Sequence, residues 1–338
     1  MLKTNYRVSV SEIEEFESRG VVCLRGVLNP REVRSLAGGI DAITGALHQS
    51  AAGYDVSAIR EQIFENVGAG CEGAANQYDI GALGQFLKAV GAKPLVDEVP
   101  REVENKGHFQ LDTTTWKRNA AIRALALDSV LPEIAGQLMR ATKVNYCDDQ
   151  VFVKEPGTKD RTAFHQDYTY FHMKGWKGCV MWVCVDQANE ESGSCLYIPK
   201  SHLWGREFKA NVFLAQTAFP GSEGEDLPDI EGNLDQYELT RYETQPGDVV
   251  IHHFRTVHGA GGNRSTRQRR AISLRYCGED MRYFRRPGAP AQPYHMHELV
   301  EGDPLDSEEF PVVWPKPYPG FALAPSYGPV PPVTAPEK

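Results

Sequence analysis

The chain has 338 residues, of which 41% are hydrophobic and 24% are charged, and its formal net charge is −9. A chain of this length can bury a substantial core, and a barrel of this size with helical additions is routinely one domain. The acidic balance argues against general binding to nucleic acid or to an anionic membrane surface, because like charges repel.

Seven cysteines are spread along the chain without the spacing of a zinc finger, and their number is odd. The first residues, Met1–Arg7, lack the apolar core of a secretory signal. No run is long and apolar enough to span a bilayer. These features predict a reduced, cytoplasmic protein without a membrane segment, and they do not indicate an oligomeric state.

Residues 1–142 predict a helical N-terminal portion. The run Ser11–Glu14 has capping-box spacing before an apolar-periodic stretch that Gly20 ends. A second helix should begin at Asn29, because asparagine caps well and the following proline suits the first helical position, and it should run to about His48.

Further along this portion the helical signal weakens and then returns. Residues 50–115 are rich in glycine and alanine, with a short helix predicted around Leu83–Val90, and the segment is interpreted either as a lid or as a surface excursion. Apolar residues recur with helical spacing over 116–139. They predict two helices, broken near Pro132, that cover the outside of a sheet.

Short strands dominate residues 143–280. The predicted strands are Val144–Val153, Gly178–Val185, Ser194–Ile198, Glu238–Glu243, Asp248–His253 and Arg269–Cys277. Many short strands that close on themselves predict a jelly roll, the double-stranded β-helix of cupin-like proteins, with a metal in the mouth of the barrel. The predicted fold is therefore mainly β with flanking helices and an N-terminal helical addition.

Two segments without regular periodicity complete the predicted single domain, which is the whole chain. Phe208–Asn233 has a Pro-Gly pair and an acidic run, which predict a long exposed loop beside the mouth of the barrel. Residues 281–338 form an extended C-terminal segment rich in proline and glycine. It either packs along the body through Trp314, Tyr318 and Phe321 or is partly disordered.

The pattern that carries chemistry is His165-Gln166-Asp167, followed at a distance by His258. In a strand, residues two apart point to the same face, so His165 and Asp167 can converge on one cation while Gln166 faces away. A tight turn and a β-branched, aromatic run, residues 246–254, can bring His258 to them from a distant strand. Two imidazoles and one carboxylate are the ligands of non-haem iron(II) oxygenases, in which they leave the remaining iron positions open.

Arg269 follows the distal histidine by eleven residues and opens a predicted strand with mixed faces. A buried arginine needs an anionic partner, and its fork of donors matches a carboxylate such as the distal one of 2-oxoglutarate. Its neighbours Arg264, Arg267 and Arg270 are interpreted as a solvated basic turn. The eight arginines from 264 to 286 indicate a carboxylate or phosphate on the substrate.

Four more residues are candidates for a substrate pocket. Tyr168 and Phe171 follow the ligand pair, and each either lines the cavity or belongs to the core. Asp149 reaches the pocket if alternate residues of its strand share that face, although surface exposure is favoured. Arg275 lies on the same predicted strand as Arg269.

The remaining histidines near the site have a plainer interpretation. His252 and His253 are predicted to be core histidines or hydrogen-bond partners of a ligand, rather than a fourth ligand. His172 and His202 lie in predicted loops, and either one can orient a ligand through a hydrogen bond.

Together these motifs resemble the phytanoyl-CoA dioxygenase family of iron(II)/2-oxoglutarate oxygenases. The matching pieces span most of residues 143–277; they are His-Gln-Asp-Tyr at 165–168, Gly-Ser-Cys-Leu-Tyr-Ile-Pro-Lys-Ser-His at 193–202, Pro-Gly-Asp at 246–248, His-Gly at 258–259 and Arg-Arg-Ala-Ile-Ser at 269–273. Lys200 departs from the Pro-Gly-Ser-His signature of the family, and Ala260 stands where some members have a serine that touches the co-substrate.

The resemblance implies a role for five residues. His165, Asp167 and His258 fall on the iron ligands, Arg269 falls on the arginine that binds 2-oxoglutarate, and Trp182 falls on a position that borders this co-substrate. Related halogenases vacate the carboxylate position for a halide. The presence of Asp167 therefore favours hydroxylation.

The expected function is that of an iron(II)- and 2-oxoglutarate-dependent dioxygenase. It would use O2 to hydroxylate an unactivated C–H bond of a natural product, an amino acid derivative or an acyl compound, with release of succinate and carbon dioxide. Desaturation or cyclisation at the same iron centre stays open. The same three ligands would also suit a zinc-type cupin hydrolase or a non-catalytic metal-binding jelly roll.

Overall fold

The computed structural model describes residues 6–65, 80–98, 107–290, 292, 295 and 298–316. Its helices are α1 (Val10–Arg19), α2 (Pro30–Gly45), α3 (Val56–Arg60), α4 (Ile80–Ala89), α5 (Ala120–Asp128) and α6 (Leu131–Leu138). No helix within the described ranges is both long and apolar enough to cross a membrane.

The strands are β1 (Val21–Leu24), β2 (Tyr54–Asp55), β3 (Phe109–Thr113), β4 (Val144–Lys154), β5 (Thr162–His165), β6 (Met173–Lys174), β7 (Gly178–Cys184), β8 (Cys195–Tyr197), β9 (Thr240–Arg241), β10 (Val249–His253), β11 (His258–Ala260), β12 (Arg269–Gly278), β13 (Arg282–Tyr283) and β14 (Val312–Trp314). A large antiparallel sheet has the order β1-β10-β7-β12-β4-β3-β2, and β14 also pairs with β4. A small sheet has the order β5-β11-β8-β9. The two sheets form the double-stranded β-helix that the sequence predicted.

The predicted helices begin and end close to the expected positions, although α4 begins at Ile80 rather than near Leu83 and α3 was not predicted. The cap of α1 is Ser9 rather than Ser11, because the side chains of Ser9 and Glu12 each bond the backbone of the other. The second helix ends at Gly45 and a short 3-10 turn follows. The break between α5 and α6 lies before Pro132, which occupies the first turn of α6, where its missing N–H is tolerated.

The helices cover one face of the large sheet. On β12, Ile272 and Leu274 point into a core that also contains Ile40 of α2, Ile122 of α5 and Ile134 of α6. The alternate residues of β12 point away from the helices, because side chains alternate between faces along a strand. The helical layer therefore leaves the other face of the sheet to the barrel interior.

The C-terminal segment contacts the barrel where the structure describes it. Val312 and Trp314 of β14 pair with the beginning of β4, and a side chain on Gly136 would collide with the Trp314 ring. Tyr318 and Phe321, the other predicted anchors, lie outside the described residues.

We expect Leu274→Ala to lower the free energy of unfolding by about 2–5 kcal/mol, because it opens a cavity in the core between the large sheet and the helices. Urea titration followed by circular dichroism measures this change. Leu203 is 56% exposed, so Leu203→Ala serves as the control and should change the free energy by less than about 0.5 kcal/mol. Equal effects of the two variants would contradict the proposed packing.

Candidate functional site

His165 and His258 lie side by side on paired strands of the small sheet. His165 is the last residue of β5, and His258, the first residue of β11, is its register partner. Their ring centroids are 4.3 Å apart. Asp167 follows after one extended residue and begins a 3-10 turn. The ligating atoms of the three side chains lie within 4.8 Å of one another, and all three residues are buried.

Both imidazoles are oriented by their own backbone. The Nδ1 of His165 donates to the carbonyl of Ala163 over 2.8 Å, and the Nδ1 of His258 donates to the carbonyl of Thr256 over 3.0 Å. These bonds leave each Nε2 with a free lone pair. Burial, with the charge of a neighbouring histidine, lowers the pKa of His165 to about 3 and that of His258 to about 4. The rings are therefore neutral near pH 7, as metal binding requires.

The carboxylate of Asp167 is held from the large sheet. Arg275 on β12 donates from Nε and Nη2 to its Oδ1 over 3.1 and 2.8 Å, and His252 on β10 donates from Nε2 to its Oδ2 over 3.0 Å. Burial alone would raise the pKa of Asp167, but the Arg275 charge and the bond from His252 hold that pKa well below its ordinary range. The aspartate is thus ionised and fixed in orientation.

A narrow cavity connects these residues with Arg269. Its free volume is about 30 Å³, which is enough to hold at least one water molecule. Its walls are formed by both sheets and the loop after β8; the residues are Gln150, Phe152, Thr162, His165, Asp167, Trp182, Cys195, Phe213, His252, His258, Gly259, Ala260, Arg269, Ser273 and Arg275.

Arg269 is a buried cation, and the described residues supply no anionic partner for it. Its side chain donates long hydrogen bonds to the carbonyls of Ser192 and Gly193, at 3.4 and 3.3 Å, and lies 5.8 Å from the Trp182 ring. Among the described residues no carboxylate lies within 4.0 Å of it. Burial lowers the pKa of Arg269. An incoming carboxylate would relieve the desolvation of this charge.

A second buried cation lies beside Arg269. Lys154 on β4 is its register partner, and the Lys154 Nζ donates to the carbonyls of Asp160 and Gly261. Burial, followed by the charge of Arg269, lowers the pKa of Lys154. This end of the cavity is therefore built to receive negative charge.

Six of the nine predicted site residues line this cavity, and the other three lie outside its wall. The six that line it are His165, Asp167, His258, Arg269, Trp182 and Arg275. The guanidinium groups of Arg255 and Arg286 lie 3.8 and 4.7 Å from the centre of the Tyr168 ring. Phe171 belongs to the same core cluster as Tyr168, with the Arg275 guanidinium 5.0 Å from its ring.

Asp149 requires a correction, because it neither reaches the cavity nor lies on the surface. It is completely buried under the helical layer. Its carboxylate accepts hydrogen bonds from the backbone N–H groups of Thr115 and Trp116, from the Thr115 hydroxyl and from Tyr146. Burial and the charge of Asp148 raise the pKa of Asp149 to about 6. The prediction chose the wrong face of β4; Gln150 and Phe152, on the other face, line the cavity.

The remaining histidines and arginines are also placed by the structure. His253 donates to the Trp176 carbonyl, and His202 donates to the Glu17 carbonyl, so neither orients the three ligating residues. Arg270 is not simply solvated, because it forms ion pairs with Asp186 and Asp41 on the outer side of the sheet. His172 accepts a hydrogen bond from the backbone of Arg286.

Sequence reasoning missed Phe213, which lies in the segment predicted as an exposed loop. Its ring packs against those of His165, at 5.3 Å, and Tyr170, at 5.5 Å. The neighbouring Val212 and Leu214 are anchored in a core with α3. The only sequence signal was an apolar Val-Phe-Leu run inside an otherwise polar segment.

The sequence matches the family described as phytanoyl-CoA dioxygenase over residues 16–271. It is 26% identical to "Probable alpha-ketoglutarate-dependent hypophosphite dioxygenase" of Stutzerimonas stutzeri, covering 60% of this chain and 68% of that protein. It is also 26% identical to "Probable phytanoyl-CoA dioxygenase" of Caenorhabditis elegans, covering 42% and 44%. The chain belongs to the phytanoyl-CoA dioxygenase family. The jelly-roll fold predicted from the sequence is shared by the non-haem alpha-ketoglutarate-dependent carbocyclase SnoK from nogalamycin biosynthesis. The TM-score is 0.60 and the sequence identity is 23%, and the match covers 90% of this chain and 96% of SnoK.

Family membership argues against a zinc hydrolase and against a non-catalytic jelly roll. The protein is a 2-oxoglutarate-dependent non-haem iron dioxygenase that acts on a small molecule, with iron(II), 2-oxoglutarate and O2 as its cofactor and co-substrates.

We expect Asp149→Asn in this dioxygenase to reduce stability and leave the cavity intact. The amide nitrogen of asparagine cannot accept the hydrogen bonds that one carboxylate oxygen receives, so the free energy of unfolding should fall by about 1–3 kcal/mol. Chemical denaturation measures this change, and anaerobic iron(II) titration checks the cavity. Asp226→Asn, an exposed carboxylate, is the control. Lost iron binding in a folded Asp149→Asn protein would show that the residue serves the site.

Proposed function

We propose that His165, Asp167 and His258 bind the iron(II) of this dioxygenase and that Arg269 binds the distal carboxylate of 2-oxoglutarate. One observation carries the proposal: three buried ligating side chains converge within 4.8 Å on a cavity whose wall also contains an arginine without a carboxylate partner among the described residues. The donor set suits iron(II), because two imidazoles and one carboxylate would leave coordination positions of the iron open for a co-substrate and O2.

The protein contributes positioning and exclusion of water. Hydrogen bonds to the Ala163 and Thr256 carbonyls fix the orientation of the two imidazoles. Hydrogen bonds from Arg275 and His252 fix the orientation of the Asp167 carboxylate. Trp182 forms the wall beside Arg269 and borders the co-substrate in this proposal. Phe213 shields His165. A dry, prearranged site strengthens each of these polar contacts.

The favoured reaction is hydroxylation of an unactivated C–H bond of a small molecule. The bound iron supplies the O2 chemistry that couples oxidative decarboxylation of 2-oxoglutarate, to succinate and carbon dioxide, with substrate oxidation. Asp167 supports hydroxylation over halogenation, because its carboxylate occupies the position that a halide would need. The fold is shared with a protein named as a carbocyclase, so desaturation or cyclisation stays the second candidate.

We further propose that the chain is a single oxygenase domain with a helical N-terminal portion, a jelly-roll core and an extended C-terminal segment. Pairing of β1 with β10 and of β14 with β4 supports this, since both terminal portions add strands to one sheet. The prediction of a cytoplasmic protein that does not bind nucleic acid stays a prediction.

The assignment of Arg269 is tested by comparison with its neighbour on β12. Anaerobic addition of iron(II) and 2-oxoglutarate should produce the weak visible charge-transfer band of a chelated complex. His165→Ala should abolish the band, and Arg269→Ala should raise the half-saturating 2-oxoglutarate concentration at least about 30-fold, because a buried charge pair is lost. Arg270→Ala is the matched control. Bound iron without a band in the parent protein would contradict the use of 2-oxoglutarate.

The roles of Arg275 and His252 are tested by iron affinity rather than by turnover. Removing a hydrogen-bond partner of a metal ligand typically weakens metal binding about 10- to 100-fold, so Arg275→Met and His252→Ala should each raise the iron(II) dissociation constant in this range. Arg275→Lys should restore part of the loss, because it returns the charge without the fork. Unchanged iron affinity in both variants would assign these residues to packing alone.

A further inference from the structure

Two buried cysteines meet across the strand pair β4–β12. Cys147 lies on β4 and Cys277 lies on β12, 130 residues further along the chain. Their sulfur atoms are 2.6 Å apart, closer than two non-bonded sulfur atoms ordinarily approach. Both residues are free thiols in this structure. The pair is therefore separated from covalent bonding by only a small movement of the two side chains.

The backbone at this point also suits a disulfide. Arg275 pairs with Asp148 and Tyr276 pairs with Tyr146, so Cys147 is the extra residue of a bulge between these two pairs. Paired antiparallel strands hold opposing Cα atoms about 4.5–5.5 Å apart, which is within the separation that a disulfide needs. A bond from Cys147 to β12 would lock the bulge beside Arg275.

The surroundings of the two thiols are apolar. Cys147 and Cys277 are 1% and 0% exposed, and they belong to the core cluster that contains Phe171 and Met173. The Met173 sulfur lies 3.4 Å from that of Cys277. Burial raises the pKa of the Cys277 thiol, and a protonated thiol is a poor nucleophile. The pair is therefore protected from casual oxidation while the strands stay closed.

The position of the pair near strand ends provides a route to reaction. Cys277 is the last residue but one of β12, which ends at Gly278, and Cys147 is the fourth residue of β4, which begins at Val144. Local opening of a strand end requires less free energy than unfolding of the whole domain. An oxidant as small as hydrogen peroxide can reach the thiols during such an opening.

We propose that Cys147 and Cys277 are a peroxide-sensitive thiol pair, which hydrogen peroxide converts to a disulfide that locks β4 to β12 beside Arg275. The thiolate of one cysteine attacks a peroxide oxygen, the O–O bond breaks, and the departing hydroxide takes up a proton to give water. A sulfenic acid forms on the attacking sulfur. The second thiol then displaces the hydroxyl group from that sulfur as another water molecule. The two thiols lose two electrons and two protons in total, and the peroxide is reduced to two water molecules.

The geometry predicts that oxidation spares the iron site. Because the two sulfur atoms are already close, the strands do not need to shift when the bond forms. Arg275 lies two residues from Cys277, and its hydrogen bonds to Asp167 are therefore retained. The disulfide preserves the register through which Arg275 contacts Asp167 when the protein meets peroxide. This consequence for iron rests on the proposed function, whereas formation of the disulfide does not.

The test treats the metal-free full chain with hydrogen peroxide in the presence of a chelator and stops the reaction with catalase. The remaining thiols are alkylated, and the protein is digested with trypsin without reduction. Mass spectrometry should find the peptide 144–154, which contains Cys147, joined to the peptide 276–282, which contains Cys277. The unfolding temperature, followed by circular dichroism, should rise by at least about 3 °C, because the bond restricts the unfolded chain.

The matched variants differ in whether they interrupt the pair. Cys277→Ala and Cys147→Ala, treated in the same way, should show neither the joined peptides nor the rise in unfolding temperature. Cys179→Ala removes an equally buried cysteine from the neighbouring strand β7 and should show both. Absence of the joined peptides from the oxidised parent protein would overturn the proposal, as would an equal stabilisation of parent and Cys277→Ala by peroxide.

Iron(II) affinity provides the second readout. After removal of the oxidant, anaerobic titration should give dissociation constants that agree within about twofold for the reduced and the oxidised parent protein. Disturbing a partner of a metal ligand typically weakens binding about 10- to 100-fold, so a loss of this size on oxidation would overturn the role as a lock. Absence of iron binding in the reduced and the oxidised protein alike would instead contradict the proposed iron ligands.

Discussion

The site depends on one buried ionic contact, between Asp167 and Arg275. Asp167 follows a strand of the small sheet, whereas Arg275 and His252 lie on strands of the large sheet. A buried ion pair often contributes little net stability, but breaking one by removing a partner is costly. We therefore assign the contact a positioning role: it fixes where the two sheets meet, and it turns the carboxylate towards His165 and His258. The helical layer and the barrel interior are organised around the strands that carry these groups.

The two faces of the strand pair β4–β12 have different roles: one face packs against the helices, and the other lines the cavity. One face of β12 presents Ile272 and Leu274 to the helices, and the corresponding face of β4 presents Asp149, which holds the turn after β3. The opposite face presents Ser273 and Gln150 to the cavity. A slip of one residue in this register would exchange the two sets. The packing of the helices is therefore part of what keeps the site in register.

Much of this arrangement could be predicted from the sequence, because the informative signals were local. The His-x-Asp spacing predicted the convergence of His165 and Asp167, and the cap at Asn29 predicted the second helix. The face of Asp149 could not be predicted, since β4 is buried on both sides and shows no polar-apolar alternation to set its phase. Phe213 was missed because its segment has no periodicity and is positioned only by tertiary contacts. Partners such as Arg275 and Asp167, 108 residues apart, have no local signal at all.

The inward face of the same strand pair also distributes charge along the cavity. Lys154 and Arg269 are register partners at one end, the neutral Gln150 and Ser273 lie between, and Asp148 and Arg275 are register partners at the other end. Six residues of strand separate the buried cations from Asp148, a distance of about 20 Å. An anionic co-substrate lowers its energy more at the first end than at the other, because Arg269 has no carboxylate partner among the described residues whereas Arg275 is already paired with Asp167. Electrostatics therefore favours the Arg269 end of the cavity for the distal carboxylate of 2-oxoglutarate, in agreement with the role proposed for Arg269.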